Sequence, residues 1–237
     1  MADYYYYNDN SSSNGRRFLG NVPTVTRNLI IINIIFFVAT LVNEDFMVTT
    51  FALFYPKSTY FHSWQILTHM FMHGGFWHIL FNMYTLWMFG SVLERMIGER
   101  KFLIFYFACG LGAVALHTGV EYLQAQSFMA AMADGSTSAA QSYAQLKMTP
   151  CLGASGAIYG VIIGYAMLFP ESRLTLLFPP VTLSAKWMVI IFAAIELLTG
   201  VTGTAVGVAH FAHLGGMLFG WLLIRYWRRK GNLFDRN

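Results

Sequence analysis

Apolar residues in this chain gather into long unbroken runs, separated by short polar or helix-breaking stretches. A helix needs about 20 predominantly apolar residues to cross a bilayer core, and six stretches come near that length. They are Asn28 to about Val48, Met72 to Leu93, Phe102 to about Leu123, Cys151 to Phe169, Lys186 to about Gly203, and about Val206 to Trp227. The first has the shortest clean core, Leu29 to Val42, with Glu44 and Asp45 near its far end. Residues 1–27 show no helical or strand period and read as a disordered tail. Thr49 to Trp64 is too broken to span and too apolar to float in water, so it reads as an interfacial connection. Residues 124–150, rich in Ala, Ser and Gln, read as a long loop that has room for a helix. Pro170 and Pro179-Pro180 mark a further loop, and a tight Thr-Gly-Thr-Ala-Val-Gly link joins the last two spans. The expected fold is an all-α membrane bundle of six transmembrane helices over residues 28–227, with a basic C-terminal tail at 228–237.

Composition agrees with this patterning. The 237 residues are 56% hydrophobic and 11% charged, with a mean hydropathy of +0.50, which excludes an ordinary soluble domain. The start of the chain carries no apolar h-region of a cleavable signal, so the first span is expected to act as its own insertion signal. Cys109 and Cys151 fall in different predicted spans at different depths and read as apolar fillers rather than a disulfide. No transporter-like internal repeat is visible.

The net charge of +4 does not point to nucleic acid, because the basic residues sit at span ends. With the N-terminus inside, Arg16, Arg17, Arg27, Arg95, Arg100, Lys101, Arg173, Lys186, Arg225, Arg228, Arg229, Lys230 and Arg236 lie on the inner side, and only Lys57 and Lys147 on the outer. That asymmetry places both termini in the cytoplasm.

The orientation converts four polar residues into a constellation. Ser155, in Gly153-Ala154-Ser155-Gly156-Ala157-Ile158-Tyr159-Gly160, heads the fourth span, and His213, in Ala212-His213-Leu214-Gly215-Gly216, is near the head of the sixth. Both spans descend from the outer face, so the two residues share a depth on the order of 10 Å or less below it. The second span descends from the same side and brings His78, with Asn82 one turn deeper, to that level. Gly156, Gly160 and Gly164 form one small-residue stripe and Ala212, Gly216 and Gly220 another, a pattern that lets two helices touch backbone to backbone. Polar groups at such depth are costly unless partnered. A serine and a histidine meeting there suggest nucleophilic peptide cleavage.

These three strings, His78-Ile79-Leu80-Phe81-Asn82, Gly153-Ala154-Ser155-Gly156 with Tyr159, and Ala212-His213-Leu214-Gly215-Gly216 with Gly220, resemble the rhomboid intramembrane serine proteases in their six-span bacterial form. The resemblance covers roughly residues 28–227. It implies a Ser155–His213 dyad without a third acid, and an oxyanion held by the Ser155 backbone N–H with His78 and Asn82. It also implies that Tyr159 packs beneath the histidine, that Gly153, Gly156, Gly216 and Gly220 support the site, and that no cofactor or metal takes part. Substrates would be transmembrane proteins in the lipid bilayer, cut from a site opening to the outer face of the bacterial inner membrane. His210 shares a helix face with His213, but the family's Ala-His-x-x-Gly-x-x-x-Gly fits only His213, leaving His210 as a wet residue near the surface.

Other features stay outside that pattern. His62, His69, His73 and His117 read as interfacial or packing residues. Glu196, near the middle of the fifth span, reads either as a protonated group bonded to a neighbour or as part of a gate. The family's first loop often carries Trp-Arg where this chain has Trp64-Gln65, while the charged turn Glu94-Arg95 is present. A zinc site on His210, His213 and His73 or His78 lacks the Glu of His-Glu-x-x-His. Two rivals remain: a rhomboid-like protein that holds membrane clients without cutting them, and a small transporter.

Overall fold

A computed structural model describes residues 22–175, 180–203 and 209–234. Residues 1–21, most of the expected tail, and most of the link between the last two spans lie outside them. Among the described residues the fold is all-α apart from one two-stranded sheet. The helices are α1 Thr24–Val42, α2 Glu44–Phe51, α3 Gln65–Thr68, α4 Phe76–Thr85, α5 Ser91–Ile97, α6 Glu99–Ala133, α7 Thr137–Met148, α8 Ser155–Leu168, α9 Ala185–Thr202 and α10 His210–Arg229. A π-helical stretch, Leu86–Gly90, joins α4 to α5 into one helical body. Each of the six predicted spans holds a helical body. Three of these, α1, α6 and α9, are long and apolar enough to cross a membrane by length and composition alone.

The boundaries differ from the sequence reading where side chains outside the apolar run decide them. α1 begins at Thr24, before the apolar run, because the Glu94 carboxylate accepts from the N–H groups of Val25 and Thr26 at 2.9 and 2.7 Å and from Thr26 Oγ1 at 2.7 Å. Those N–H groups have no acceptor within their own helix. α1 ends at Val42, short of the expected Val48, because Asn43 caps α2 by accepting from Phe46 N–H at 3.1 Å. α6 continues to Ala133, ten residues past the expected end, and α7 folds back along it. At 1.5 Å per residue α6 reaches about 52 Å, well beyond a core of about 30 Å. The segment read as a loop is thus mostly a helical hairpin. The loop after the fourth span carries two antiparallel strands, β1 Arg173–Thr175 and β2 Thr182–Ser184, with Leu174 opposite Leu183. Alternation over three residues is too short to signal a strand.

α10 packs between α6 and α8, and this trio forms the centre of the molecule. Small residues bring the backbones together: a Cβ at Gly216 would overlap the carbonyl oxygen of Gly156, and one at Gly220 would come within 2.9 Å of the Gly160 carbonyl oxygen. Around the trio, Leu86, Leu93, Phe102, Phe105, Tyr106, Ile158, Val161 and Ile224 make a closed apolar core. Outward-facing Ile34, Ile35, Val38 and Leu41 on α1, and Ile190, Leu197, Leu198 and Val201 on α9, are exposed. In a protein solvated by lipid this is the expected surface. Within α1, Asn33 Nδ2 donates to the Leu29 carbonyl and Thr40 Oγ1 to that of Phe36.

Candidate active site

The fourteen residues of α8 span about 21 Å, less than a bilayer core of about 30 Å. Its first residue is Ser155. The expected fourth span began at Cys151, but Cys151 lies ahead of the helix, where its backbone pairs with Leu53 at 2.7 and 2.9 Å. Gly153 turns this segment into the helix at a φ of +136°, where a Cβ would also stand 3.0 Å from the His78 ring and 3.4 Å from Ser155 Oγ. Only glycine enters that conformation without strain. The Gly153 N–H donates to the His69 carbonyl at 3.0 Å, so His69 helps hold the turn.

α10 starts at His210 and places His213 one turn in. His213 Nε2 lies 2.8 Å from Ser155 Oγ. The Tyr159 ring, one turn along α8 from the serine, stacks on the imidazole with centroids 4.2 Å apart and planes 6° apart. α4 supplies His78 and Asn82 to the same cavity, which has a volume of about 800 Å³ and is also lined by Ser155, Tyr159 and His213. Gly74 N–H approaches His78 Nδ1 at 3.4 Å, an arrangement that leaves the proton of a neutral ring on Nε2, the edge facing Gly153. His73 packs edge-on against His78 at 5.0 Å. Asn82 Nδ2 is buried without a hydrogen-bond partner among the described residues.

Two features depart from the sequence reading. Glu196, which has no motif to mark it, accepts from Tyr159 Oη at 2.6 Å and lies 2.9 Å from His213 Nδ1 and 2.6 Å from His210 Nδ1. An acid does therefore stand beside His213, delivered by α9 from seventeen residues away in the chain. His210, expected to be wet, is 9% exposed and held between Glu196 and Thr199, 3.1 Å away. The one signal for this in the sequence was the cost of a carboxylate at mid-span.

The description "Rhomboid domain" fits residues 60–230 of this chain. The chain belongs to the rhomboid family. Among its relatives, presenilin-associated rhomboid-like protein, mitochondrial, of Bos taurus is 31% identical over 162 residues, which is 68% of this chain and 37% of that protein. Rhomboid protein 1, mitochondrial, of Saccharomyces cerevisiae is 28% identical over 170 residues, 67% of this chain and 41% of that one. This chain thus spans well under half the length of either.

Family membership makes the Trp64-Gln65 departure informative. Gln65 is buried at the centre of the first loop. Its Nε2 donates to the carbonyls of Tyr60 at 2.8 Å, Thr49 at 3.1 Å and Thr50 at 3.4 Å, and its Oε1 accepts from His62 N–H at 3.1 Å and Phe54 N–H at 3.4 Å. An amide that both donates and accepts organises this loop without an arginine. The loop then reaches the site through the Leu53–Cys151 pairing.

Proposed function

We propose that this rhomboid-family protein is an intramembrane serine endopeptidase. The observation that carries the reading is the 2.8 Å contact between His213 Nε2 and Ser155 Oγ in a cavity large enough for an extended peptide. In the proposed cycle Ser155 Oγ attacks the scissile carbonyl carbon while its proton passes to His213 Nε2. The C–N bond then breaks and His213 gives that proton to the leaving amine. A water molecule attacks the acyl ester, losing its proton to His213, and Ser155 Oγ leaves and is reprotonated. The oxyanion would be met by the Ser155 N–H, which opens α8 and has no acceptor within that helix, by His78 Nε2 and by Asn82 Nδ2. An unpaired buried amide donor costs stability, and a developing oxyanion is what would offset that cost. The chemistry calls for no cofactor or metal.

Substrates are proposed to be other membrane proteins, cut at small residues in or near transmembrane segments whose helices unwind easily. The bias of basic residues supports an orientation with both termini on the cytoplasmic side and the cavity open to the opposite face; the membrane is proposed to be a bacterial inner membrane. The test is cleavage of a single-span membrane protein by the purified full-length chain in liposomes, beside Ser155→Ala and His213→Ala. Loss of product in both variants, with covalent labelling of Ser155 by a fluorophosphonate in the wild type only, is the expected result. No cleavage of any of several substrates by the wild type, together with an unlabelled Ser155, would instead favour a client-binding protein.

A further inference from the structure

We infer that Glu196 is a positioning residue for this reaction: its carboxylate fixes the orientation and tautomer of His213, with Tyr159 and His210 holding the carboxylate in turn. The inference rests on the proposed protease reading. It extends that reading from a serine–histidine pair to a network of five side chains, Ser155 and Tyr159 on α8, Glu196 on α9, and His210 and His213 on α10.

The geometry is that of a base and its orienter. Glu196 Oε1 is 2.9 Å from His213 Nδ1, and the far nitrogen of the same ring is 2.8 Å from Ser155 Oγ. A neutral imidazole carries one proton. With that proton on Nδ1 and shared with Glu196, Nε2 is left bare to accept from the serine. The opposite tautomer would leave the serine facing an N–H and no base. When Ser155 attacks and His213 becomes an imidazolium, the carboxylate stabilises the charge without taking the proton, as the acid of a serine-protease triad does.

Three polar side-chain atoms converge on one carboxylate, an arrangement that fits the ionised form. Tyr159 Oη at 2.6 Å and His213 Nδ1 address Oε1, and His210 Nδ1 at 2.6 Å addresses Oε2. An ionised carboxylate accepts from all three at once, and Oε1, which accepts from Tyr159, is also the oxygen that faces His213 Nδ1. The carboxylate is turned inward: Glu196 is 6% exposed on a helix whose neighbouring residues Ile195, Leu197 and Leu198 face outward. Tyr159 acts twice, stacking on the His213 ring and bonding its orienter, so that ring and carboxylate are held against one surface.

The experiment is steady-state cleavage of a single-span membrane protein in liposomes by full-length wild type, Ser155→Ala, Glu196→Gln and Glu196→Asp. It is paired with ¹⁵N NMR of histidine-labelled wild type at alkaline pH, using His213→Asn to assign the signal. Glu196→Gln is expected to lower kcat by about 10²-fold or more with KM within about threefold, the pattern of an interaction made in the transition state. Glu196→Asp is expected to recover at least about tenfold of that loss, and His213 to carry its proton on Nδ1. A kcat for Glu196→Gln within about threefold of wild type, a change confined to KM, or an Nε2–H tautomer would each overturn the inference. The tautomer measurement needs no variant altered at Glu196, so it decides even if Glu196→Gln does not fold. An inactive wild type with unlabelled Ser155 would remove the protease reading, and the inference with it. An active wild type with an active Glu196→Gln removes the inference alone.

Discussion

At the scale of single residues, the side chains of this site are set by what surrounds them rather than by their neighbours in sequence. Asn82 shows this most simply. Its amide nitrogen is buried and without a partner among the described residues, an arrangement that costs about 1–3 kcal/mol in a folded protein. Asn82→Ala is therefore expected to leave the thermal midpoint unchanged or slightly raised while lowering kcat by about 10²–10³-fold, the usual effect of losing one oxyanion donor. Parallel melting curves and cleavage rates would check it. A fall in stability with unchanged turnover would show that Asn82 is a packing residue. Asn82 and His78 could be read from sequence because both lie in one short string one turn apart. Glu196 could not be paired with His213, because its partners are contributed by α8 and α10 across chain separations that carry no periodic signal.

At the scale of elements, the decisive contact is between α8 and α10. Ser155 and His213 can touch only because the two helix backbones approach almost to van der Waals contact at Gly156 and Gly216. In lipid, where no hydrophobic effect drives helix pairing, such close packing is what holds helices together. Gly216→Ala would set a methyl group against the Gly156 carbonyl, which is rigid backbone and cannot step aside. The expected result is a destabilisation of about 1–3 kcal/mol and an activity loss larger than that explains, because the helices must part where the Ser155–His213 distance is defined. Thermal unfolding and cleavage by Gly216→Ala, with Gly203→Ala as a control that leaves the α8–α10 contact untouched, would separate the two effects. The small-residue stripes were visible in the sequence. The π-helical stretch in the second span and the hairpin after α8 were not, since neither changes the apolar pattern.

For the molecule as a whole, the periphery is tied to the core by buried polar anchors. Glu94 links the second span to the start of α1 through three short hydrogen bonds and is 2% exposed. Hydrogen bonds to a charged group contribute about 1.5–3 kcal/mol each. Glu94→Gln, which keeps the shape but removes the charge and turns one acceptor into a donor, is expected to lower stability by about that much in total. It should also raise the sensitivity of the N-terminal segment to added protease. Differential scanning in detergent and limited proteolysis would measure both. Turnover in the surviving folded fraction should change little, because α1 does not line the cavity.

The sequence by itself determined the membrane character of the chain and the order of its helical bodies, and it singled out the serine, the histidine and the two residues of α4 that line one cavity. Apolar run length, basic residues at span ends and short glycine-flanked motifs are local or one-dimensional quantities, so they survive without coordinates. Only the tertiary structure decided what meets what. It brought the Glu196 carboxylate to His213, Tyr159 and His210, started α8 at Ser155, extended α6 to Ala133 against α7, and set Gln65 at the centre of the first loop. The physical reason is common to all four. A lone carboxylate, amide or helix end in an apolar setting must find a hydrogen-bond partner, but its own position in the chain does not say which distant element supplies it.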